Sequence, residues 1–252
     1  MKVIFVGAGP GDPELLTLKA LRCLQTAQCC IYAGSLVNPE VLRHLPANAV
    51  RHDSARMTLE DIVGVCRDAR QRGMDIVRLH SGEPALYGAI GEQMRELDKL
   101  GIEYEVVPGI SAFQAAAAAL RKELTAPEIS QTVILTRTAG RTPMPPGQEL
   151  TRLAALRATL CIYLSTPNIA NIAQTLADPY GKDCPVAVGY HVSWPDQNIV
   201  TGTLGDIAGK VAAAGFGKTA IILVGWALGE VAHASKLYDR HFTHEFRSAE
   251  EA

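Results

Sequence analysis

The chain has 252 residues, of which 48% are apolar and 20% charged, a balance typical of one or two folded domains and not of a disordered chain. With 24 Lys and Arg against 26 Asp and Glu, the net charge is −2, which excludes the broad positive surface of a dedicated nucleic-acid-binding protein. No apolar run reaches the roughly 20 residues of a membrane-spanning helix, so we expect no contact with a membrane. The charge balance likewise predicts no contact with nucleic acid. We expect a cytoplasmic protein, in agreement with the cysteine usage described below.

Short apolar runs alternate with helical patterns through the first half of the chain, which is typical of a parallel sheet with crossover helices. The helix after residue 57 has a typical start, with Thr58 as cap and Glu60 and Asp61 in its first turn. In chain order we predict strand 3–6, helix 14–27, strand 29–32, helix 58–72, strand 76–79, helix 90–100, strand 104–107 and helix 111–120.

The pattern changes after the last of these helices. Residues 121–131 have no strong period and contain Pro127, so we predict a linker there, between an N-terminal lobe 1–120 and a C-terminal lobe 132–252. In the second lobe we predict strand 132–136, helix 149–156, strands 160–164, 186–190 and 198–203, helix 204–214 and strand 220–224, with no structure after residue 225.

The second predicted sheet differs in kind from the first. Strands 186–190 and 198–203 are joined by a short turn that contains Trp194 and Pro195. Such a connection indicates an antiparallel hairpin. We therefore predict two α/β lobes, the first built on a mainly parallel sheet and the second on a mixed one.

Two glycine-rich segments are similar to nucleotide-binding motifs but differ from them at essential positions. In residues 7–12, Asp12 stands where the dinucleotide motif GxGxxG requires glycine, and Pro10 removes a backbone N–H. Gly217-Lys218-Thr219 lacks the first P-loop glycine and precedes a strand rather than a helix. These departures disfavour an NAD-dependent or FAD-dependent oxidoreductase and an ATPase.

The six cysteines include no CxxC pair and have no nearby histidine at zinc-binding spacing, so we predict reduced thiols and no metal site. Three loops rich in glycine and proline, at 7–13, 80–88 and 108–112, follow apolar strands of the first lobe. The loops therefore lie at the carboxyl ends of the strands, where open α/β sheets bind ligands.

These three loops, in this order, resemble the signatures of the tetrapyrrole (corrin/porphyrin) methyltransferases. Residues 32–37, 131–137, 140–143, 193–197 and 219–225 resemble most closely the branch that methylates C-11 of precorrin-4, or of its cobalt form, in cobalamin synthesis. The resemblance implies an S-adenosylmethionine-dependent methyltransferase, with S-adenosylhomocysteine as product. It also implies a homodimer in which each chain holds the cofactor in a cleft between its two lobes.

The resemblance further implies a set of cofactor-binding residues, carried over by position. They are Pro10, Ser81, Gly82, Glu83, Leu86, Ser111 and Ala112 in the first lobe, and Leu164, Tyr190, His191, Val192, Thr219 and Ala220 in the second. Glu83 departs from the pattern, because many relatives have aspartate there, and its extra methylene leaves its contact undetermined. Ala33 is a second departure, because some relatives have aspartate at that position.

Methyl transfer from a sulfonium to a carbon requires alignment of the two atoms at about 3–3.5 Å and exclusion of water, and it needs neither a metal nor a general acid. Tyr87 and His191 are the candidates for accepting a proton, with a structural role in their loops as the alternative. Arg137 and Arg141 are predicted to bind substrate carboxylates, because arginine binds these groups through two donors. The alternative for both arginines is an exposed position without a ligand.

Two other functions stay open from the sequence. The same fold could methylate a different position of the tetrapyrrole, because the site of methylation depends on how the substrate is oriented. A non-catalytic tetrapyrrole-binding module is the second alternative, and it would bind the macrocycle without any influence of S-adenosylhomocysteine.

Overall fold

The computed structural model describes residues 1–230 and 235–249. The chain forms two compact units, the first made of Met1–Ala115 together with His191–Gln197, and the second of the remaining described residues. The division falls before residues 121–131, which the sequence marks as the linker. It also places a short segment of the predicted C-terminal lobe in the first unit.

The first unit contains a five-stranded sheet in which all neighbouring strands are parallel, as predicted. Its strands, in the spatial order β3-β2-β4-β1-β5, are β1 (Lys2–Gly7), β2 (Cys29–Tyr32), β3 (Val50–Asp53), β4 (Ile76–His80) and β5 (Glu103–Val107). The helices are α1 (Leu18–Gln25), α2 (Pro39–Leu42), α3 (Leu59–Gln71), α4 (Ile90–Lys99) and α5 (Ala112–Leu120), the last of which spans the division between the units.

Strand β1, which lies between β4 and β5, shows why this sheet is covered on both faces. Val3 and Phe5 belong to one buried apolar cluster, whereas Ile4 and Val6 belong to another. Successive side chains of a strand point to opposite faces, so both faces of β1 are buried. Helices of the first unit therefore have to cover the sheet from both sides, and the loops of the candidate site are left at one end of it.

The starts of α1 and α3 follow from their capping residues. Thr58 and Asp61 form the reciprocal capping box of α3, as the sequence pattern indicates. The predicted start of α1 at residue 14 is wrong, because the Thr17 side chain accepts the Ala20 N–H and the helix begins at Leu18. Residues before Thr17 form a separate 3₁₀ turn capped by Asp12.

The second unit contains a five-stranded mixed sheet, which confirms the second predicted sheet. Strands β6 and β7 are parallel, and the other pairs, including the predicted β8–β9 hairpin, are antiparallel. The strands, in the spatial order β6-β7-β10-β8-β9, are β6 (Val133–Arg137), β7 (Thr159–Tyr163), β8 (Pro185–Tyr190), β9 (Asn198–Thr203) and β10 (Ala220–Val224). The helices are α6 (Leu150–Ala154), α7 (Ile169–Tyr180) and α8 (Ile207–Ala214).

Two features of the second unit differ from the sequence prediction. Helix α7 was not predicted, although its buried residues at 169, 172, 173, 176 and 180 have helical spacing. The absence of structure after residue 225 is also wrong, because 3₁₀ turns form at Trp226–Leu228 and Lys236–Tyr238. Among the described residues, no helix has the length and apolar character to cross a membrane.

Candidate functional site

The parallel register of the first sheet brings together the loops that follow its strands at their carboxyl ends. Gly7 pairs with His80 and Val6 pairs with Val107, so the loops after β1, β4 and β5 begin side by side. The predicted site residues of the first lobe therefore gather at this carboxyl edge: they are Pro10, Ser81, Gly82, Glu83, Leu86, Tyr87, Ser111 and Ala112.

Three glycines allow these loops to meet backbone to backbone. A Cβ on Gly109 would lie 2.1 Å from the carbonyl oxygen of Gly82, and a Cβ on Gly7 would lie 2.6 Å from Gly109 Cα. A pair of backbone hydrogen bonds also joins Gly9 and Gly82, with N···O distances of 2.8 and 3.3 Å. No side chain fits between the loops at these points, so the glycines fix their separation.

Glu83 connects two of the loops through its carboxylate. Oε1 accepts the backbone N–H of Ala85 at 2.8 Å, and Oε2 accepts the N–H of Gly109, also at 2.8 Å. Glu83 is half-buried. The resemblance assigns this side chain to the polar end of the cofactor, whereas the structure shows both of its oxygens bound to loop amides.

The segment His191–Gln197 packs on the first of these loops within the first unit. The indole N–H of Trp194 donates to the carbonyl of Pro10 at 3.0 Å, and the Asp12 N–H donates to Ser193 Oγ at 3.0 Å. The Trp194 ring fills the space of a side chain at Gly11, since a Cβ there would lie 2.0 Å from Cδ1. The segment thus places His191 and Val192 at the same edge as Pro10.

Backbone polar groups of the loop after β1 are already hydrogen-bonded to other parts of the protein. The N–H groups of Ala8, Gly9 and Asp12 donate to protein acceptors, and the Gly11 carbonyl accepts from the buried Asn38 amide at 2.9 Å. A phosphate-binding loop instead presents free amides to its ligand. This arrangement supports the argument against dinucleotide binding that Asp12 provides in the sequence.

Two histidines lie at the carboxyl edge in different environments. His191 stacks on Trp194 with ring centroids 4.7 Å apart, and its Nδ1 lies 2.9 Å from the Asp196 carboxylate. A carboxylate partner of this kind fixes the orientation of the imidazole. His80 is buried, and within the described part of the chain its Nε2 has no hydrogen-bond partner. Burial, and to a lesser degree the positive charge of Arg78, lower the pKa of His80 to about 3, so His80 is neutral at physiological pH.

The register of the second sheet brings together the remaining predicted residues. Arg137 pairs with Tyr163 and Ala220 pairs with Tyr190, so the ends of β6, β7 and β8 and the start of β10 lie at one end of this sheet. Leu164, Tyr190, Thr219 and Ala220 gather there. The Leu164 side chain is 73% exposed.

The two predicted substrate arginines have different surroundings. The Arg137 guanidinium donates to the carbonyls of Thr138, Thr142 and Pro143 at 2.8–3.2 Å, so it shapes the loop that follows β6. Arg141 lies in that loop and is exposed. Of the two, Arg141 is therefore the side chain that is free to reach a ligand by a simple rotamer change.

Backbone strain marks the same segments in both units. Among the described residues nine non-glycine residues have positive φ; five of them lie in the predicted site segments, and a sixth, Ala89, directly follows one. Each left-handed residue of this kind costs about 1 kcal/mol or more, and such strain concentrates at functional sites. The six residues, with φ between 43° and 68°, are Tyr87, Ala89, Leu164, His191, Ser193 and Thr219.

Three residues of the candidate site were missed in the sequence. Trp194 and Asp196 lie in a segment read as a hairpin turn, and Asn38 lies in a segment to which no element was assigned. A tryptophan in a two-strand connection was the available signal, because a large aromatic side chain in a turn needs a surface to pack on. No group of three or more His, Cys, Asp or Glu in the described ranges is arranged to hold a metal ion.

The family profile described as Tetrapyrrole (Corrin/Porphyrin) Methylases matches residues 2–208. The chain belongs to this family. Among relatives of this tetrapyrrole methylase, the precorrin-4 C(11)-methyltransferase of Pseudomonas aeruginosa is 51% identical over 251 residues, which cover 99% of this chain and 100% of the relative.

Two solved structures of the same family extend the comparison. The crystal structure of a cobalt precorrin-4 methyltransferase of cobalamin biosynthesis matches this tetrapyrrole methylase with a TM-score of 0.89 and 42% identity, over 91% of this chain and 96% of that one. The uroporphyrin-III C-methyltransferase of Thermus thermophilus, in complex with S-adenosylhomocysteine, matches with a TM-score of 0.76 and 27% identity, over 90% and 93%.

Proposed function

We propose that this chain transfers the methyl group of S-adenosylmethionine to C-11 of precorrin-4, or of cobalt-precorrin-4, to give the corresponding precorrin-5 in cobalamin biosynthesis. The observation that carries the proposal is the 51% identity with a precorrin-4 C(11)-methyltransferase over the whole of both chains. S-adenosylmethionine is the methyl donor of this reaction, and S-adenosylhomocysteine is its product. The protein is an S-adenosylmethionine-dependent methyltransferase.

The loops at the carboxyl edge of the first sheet are proposed to bind the cofactor. Their residues differ in what they offer: Leu86 and Ala112 present apolar surface, and Ser81 and Ser111 present hydroxyl groups. Leu164, Tyr190, Thr219 and Ala220 are proposed as further cofactor contacts. The positive φ of Leu164 supports this assignment, because strained backbone of this kind concentrates at functional sites.

In this reaction the main role of these residues is to position the cofactor and the substrate. The leaving thioether is neutral, so no group of the protein has to protonate it, and the rate depends on alignment and on exclusion of water. His191, held by Asp196 and Trp194, is the better placed of the two candidates for a proton acceptor. Tyr87 is exposed and lies in a strained part of its loop.

The substrate carries several carboxylates, and Arg141 is proposed to bind one of them through paired hydrogen bonds. Arg137 is proposed to contribute by holding the loop that carries Arg141. A homodimer in the cytoplasm is part of the same proposal. It is supported by the family resemblance.

The deciding experiment incubates the purified protein with S-adenosylmethionine carrying a ¹³C-methyl group and with precorrin-4 or cobalt-precorrin-4. Product mass gives the number of methyl groups transferred, and NMR gives the labelled position. One methyl group at C-11 is the expected result, and the preferred substrate identifies the metal state. Transfer to another carbon would establish the alternative regiochemistry. If no methyl group is transferred and the affinity for the macrocycle is the same with and without S-adenosylhomocysteine, the protein is a non-catalytic binding module.

A further inference from the structure

The two oxygens of the Glu83 carboxylate are engaged at opposite ends of a short bridge between loops. One accepts the Ala85 N–H within its own loop, and the other accepts the Gly109 N–H in the loop after β5, both at 2.8 Å. Each bond has the short length of a charge-assisted hydrogen bond to a carboxylate. Residues 83 and 109 are 26 positions apart in the chain, so the contact is not a local turn but a connection between two site loops.

The position of Gly109 explains why this bridge matters. Gly109 already touches Gly82 and Gly7 so closely that a Cβ would not fit, and it begins the segment that leads to Ser111 and Ala112 and into α5. The close contacts at Gly109 limit how near the loop 108–112 comes to the other two loops, but they do not by themselves hold it there. The carboxylate supplies the attractive contact, because it binds the Gly109 amide across the gap.

We propose that Glu83 is a positioning residue, which acts on the cofactor through the loop 108–112 that it holds in place rather than by a direct bond to the cofactor's ammonium group. This inference rests on the proposed function, since it concerns the same cofactor. It also accounts for the side chain itself: the additional methylene of glutamate, compared with aspartate, gives the reach to Gly109 while the other oxygen stays on Ala85.

A direct contact with the ammonium group and a positioning role predict different effects of Glu83 on the affinities for two ligands. S-adenosylhomocysteine carries the amino-acid portion with its ammonium group, whereas 5′-methylthioadenosine has the same adenosine and sulfur but no amino-acid portion. If Glu83 bound the ammonium group, its loss would weaken only the first ligand. If Glu83 holds the loop 108–112, its loss weakens both.

The test uses the full chain with Glu83→Ala and Glu83→Gln, the second keeping one acceptor oxygen in the same space. The matched control is Asp206→Asn, because the Asp206 carboxylate also accepts a backbone N–H at 2.8 Å, from Thr203, at the other end of the second sheet from Tyr190. Amide hydrogen exchange at Gly109 is measured without ligand, and the affinities for S-adenosylhomocysteine and 5′-methylthioadenosine are measured by calorimetry.

We expect Glu83→Ala to speed exchange at Gly109 about tenfold and to weaken both ligands by a similar factor of about ten, as for the loss of one hydrogen bond to a charged group. Glu83→Gln is expected to give a smaller change in the same three quantities, and Asp206→Asn none. Unchanged exchange at Gly109, or a loss confined to S-adenosylhomocysteine, would overturn the inference. If the unsubstituted protein binds neither ligand, the proposed function itself fails, which is a different result from normal binding that ignores Glu83.

Discussion

Gly109→Ala offers a sharp test of how the site loops are held. Gly109 is not in the left-handed region, so alanine can adopt its backbone conformation, and only the added methyl group matters. That methyl would lie 2.1 Å from the Gly82 oxygen, where contacts below 3.0 Å essentially never occur. One of the two loops therefore has to move by about 1 Å to restore an ordinary contact.

The matched control is Gly64→Ala in the middle of α3, where a Cβ would meet nothing within 4 Å. Alanine is a better helix former than glycine, so this change is expected to stabilise the protein by about 0.5–1 kcal/mol. Gly109→Ala is expected to destabilise it by about 1–3 kcal/mol, as overpacking does. The same displacement is expected to lower methyl-transfer activity by roughly a hundredfold, because alignment tolerates little error.

Urea unfolding gives the stability of both variants, and calorimetry with S-adenosylhomocysteine together with a methyl-transfer assay gives their function. The reasoning requires the two substitutions to move the unfolding midpoint in opposite directions. A Gly109→Ala protein as stable and as active as the original would refute it, because the three loops would then not be held at contact distance.

Three further predictions follow from single contacts. Trp194→Phe keeps an aromatic ring but removes the indole N–H that donates to Pro10 and the part of the ring that packs on Gly11, so the free energy of unfolding should fall by about 1 kcal/mol or more; an unchanged urea midpoint would contradict this. His80 stays neutral in the fold down to a pKa of about 3, whereas the unfolded chain takes up a proton near pH 6.5, so this residue removes about 1.4 kcal/mol of stability per pH unit on acidification below 6.5. Unfolding of His80→Phe between pH 7 and 5 should lack that slope, and equal slopes would show that the histidine is not held neutral. Arg141→Ala should raise the KM for the tetrapyrrole about tenfold without weakening S-adenosylhomocysteine, while the exposed Arg152→Ala should change neither; equal effects of the two would remove Arg141 from the substrate site.

Elements with strong local signals were predictable from the sequence. Apart from β3, the strands of the first sheet are short apolar runs bounded by turn residues, as are most strands of the second. Helix α3 has a capping box that can be read directly from Thr58 and Asp61. The loops after β1, β4 and β5 follow because parallel strands have their carboxyl ends at one edge. The register then confirms that these loops start side by side.

Other features depend on contacts that no local pattern encodes. Strand β3 is a mostly exposed edge strand with the sequence Val-Arg-His-Asp, which has no apolar alternation. The partner of Trp194 is a carbonyl 184 positions away, and the positive φ of Leu164 is imposed by its surroundings, because leucine does not favour it. The sequence could therefore indicate where site residues lie along the chain, but not that Glu83 binds two loop amides.

The placement of residues 191–197 in the first unit has a consequence for how the protein is made. A growing chain that has reached Tyr190 already contains all five strands of the first sheet. The carbonyl of Pro10, however, still lacks its hydrogen-bond donor, the indole N–H of Trp194. Closing a contact over such a span is slow compared with forming a neighbouring strand pair. During synthesis, the loop after β1 thus gains its contact with Trp194 only after most of the second sheet has been translated.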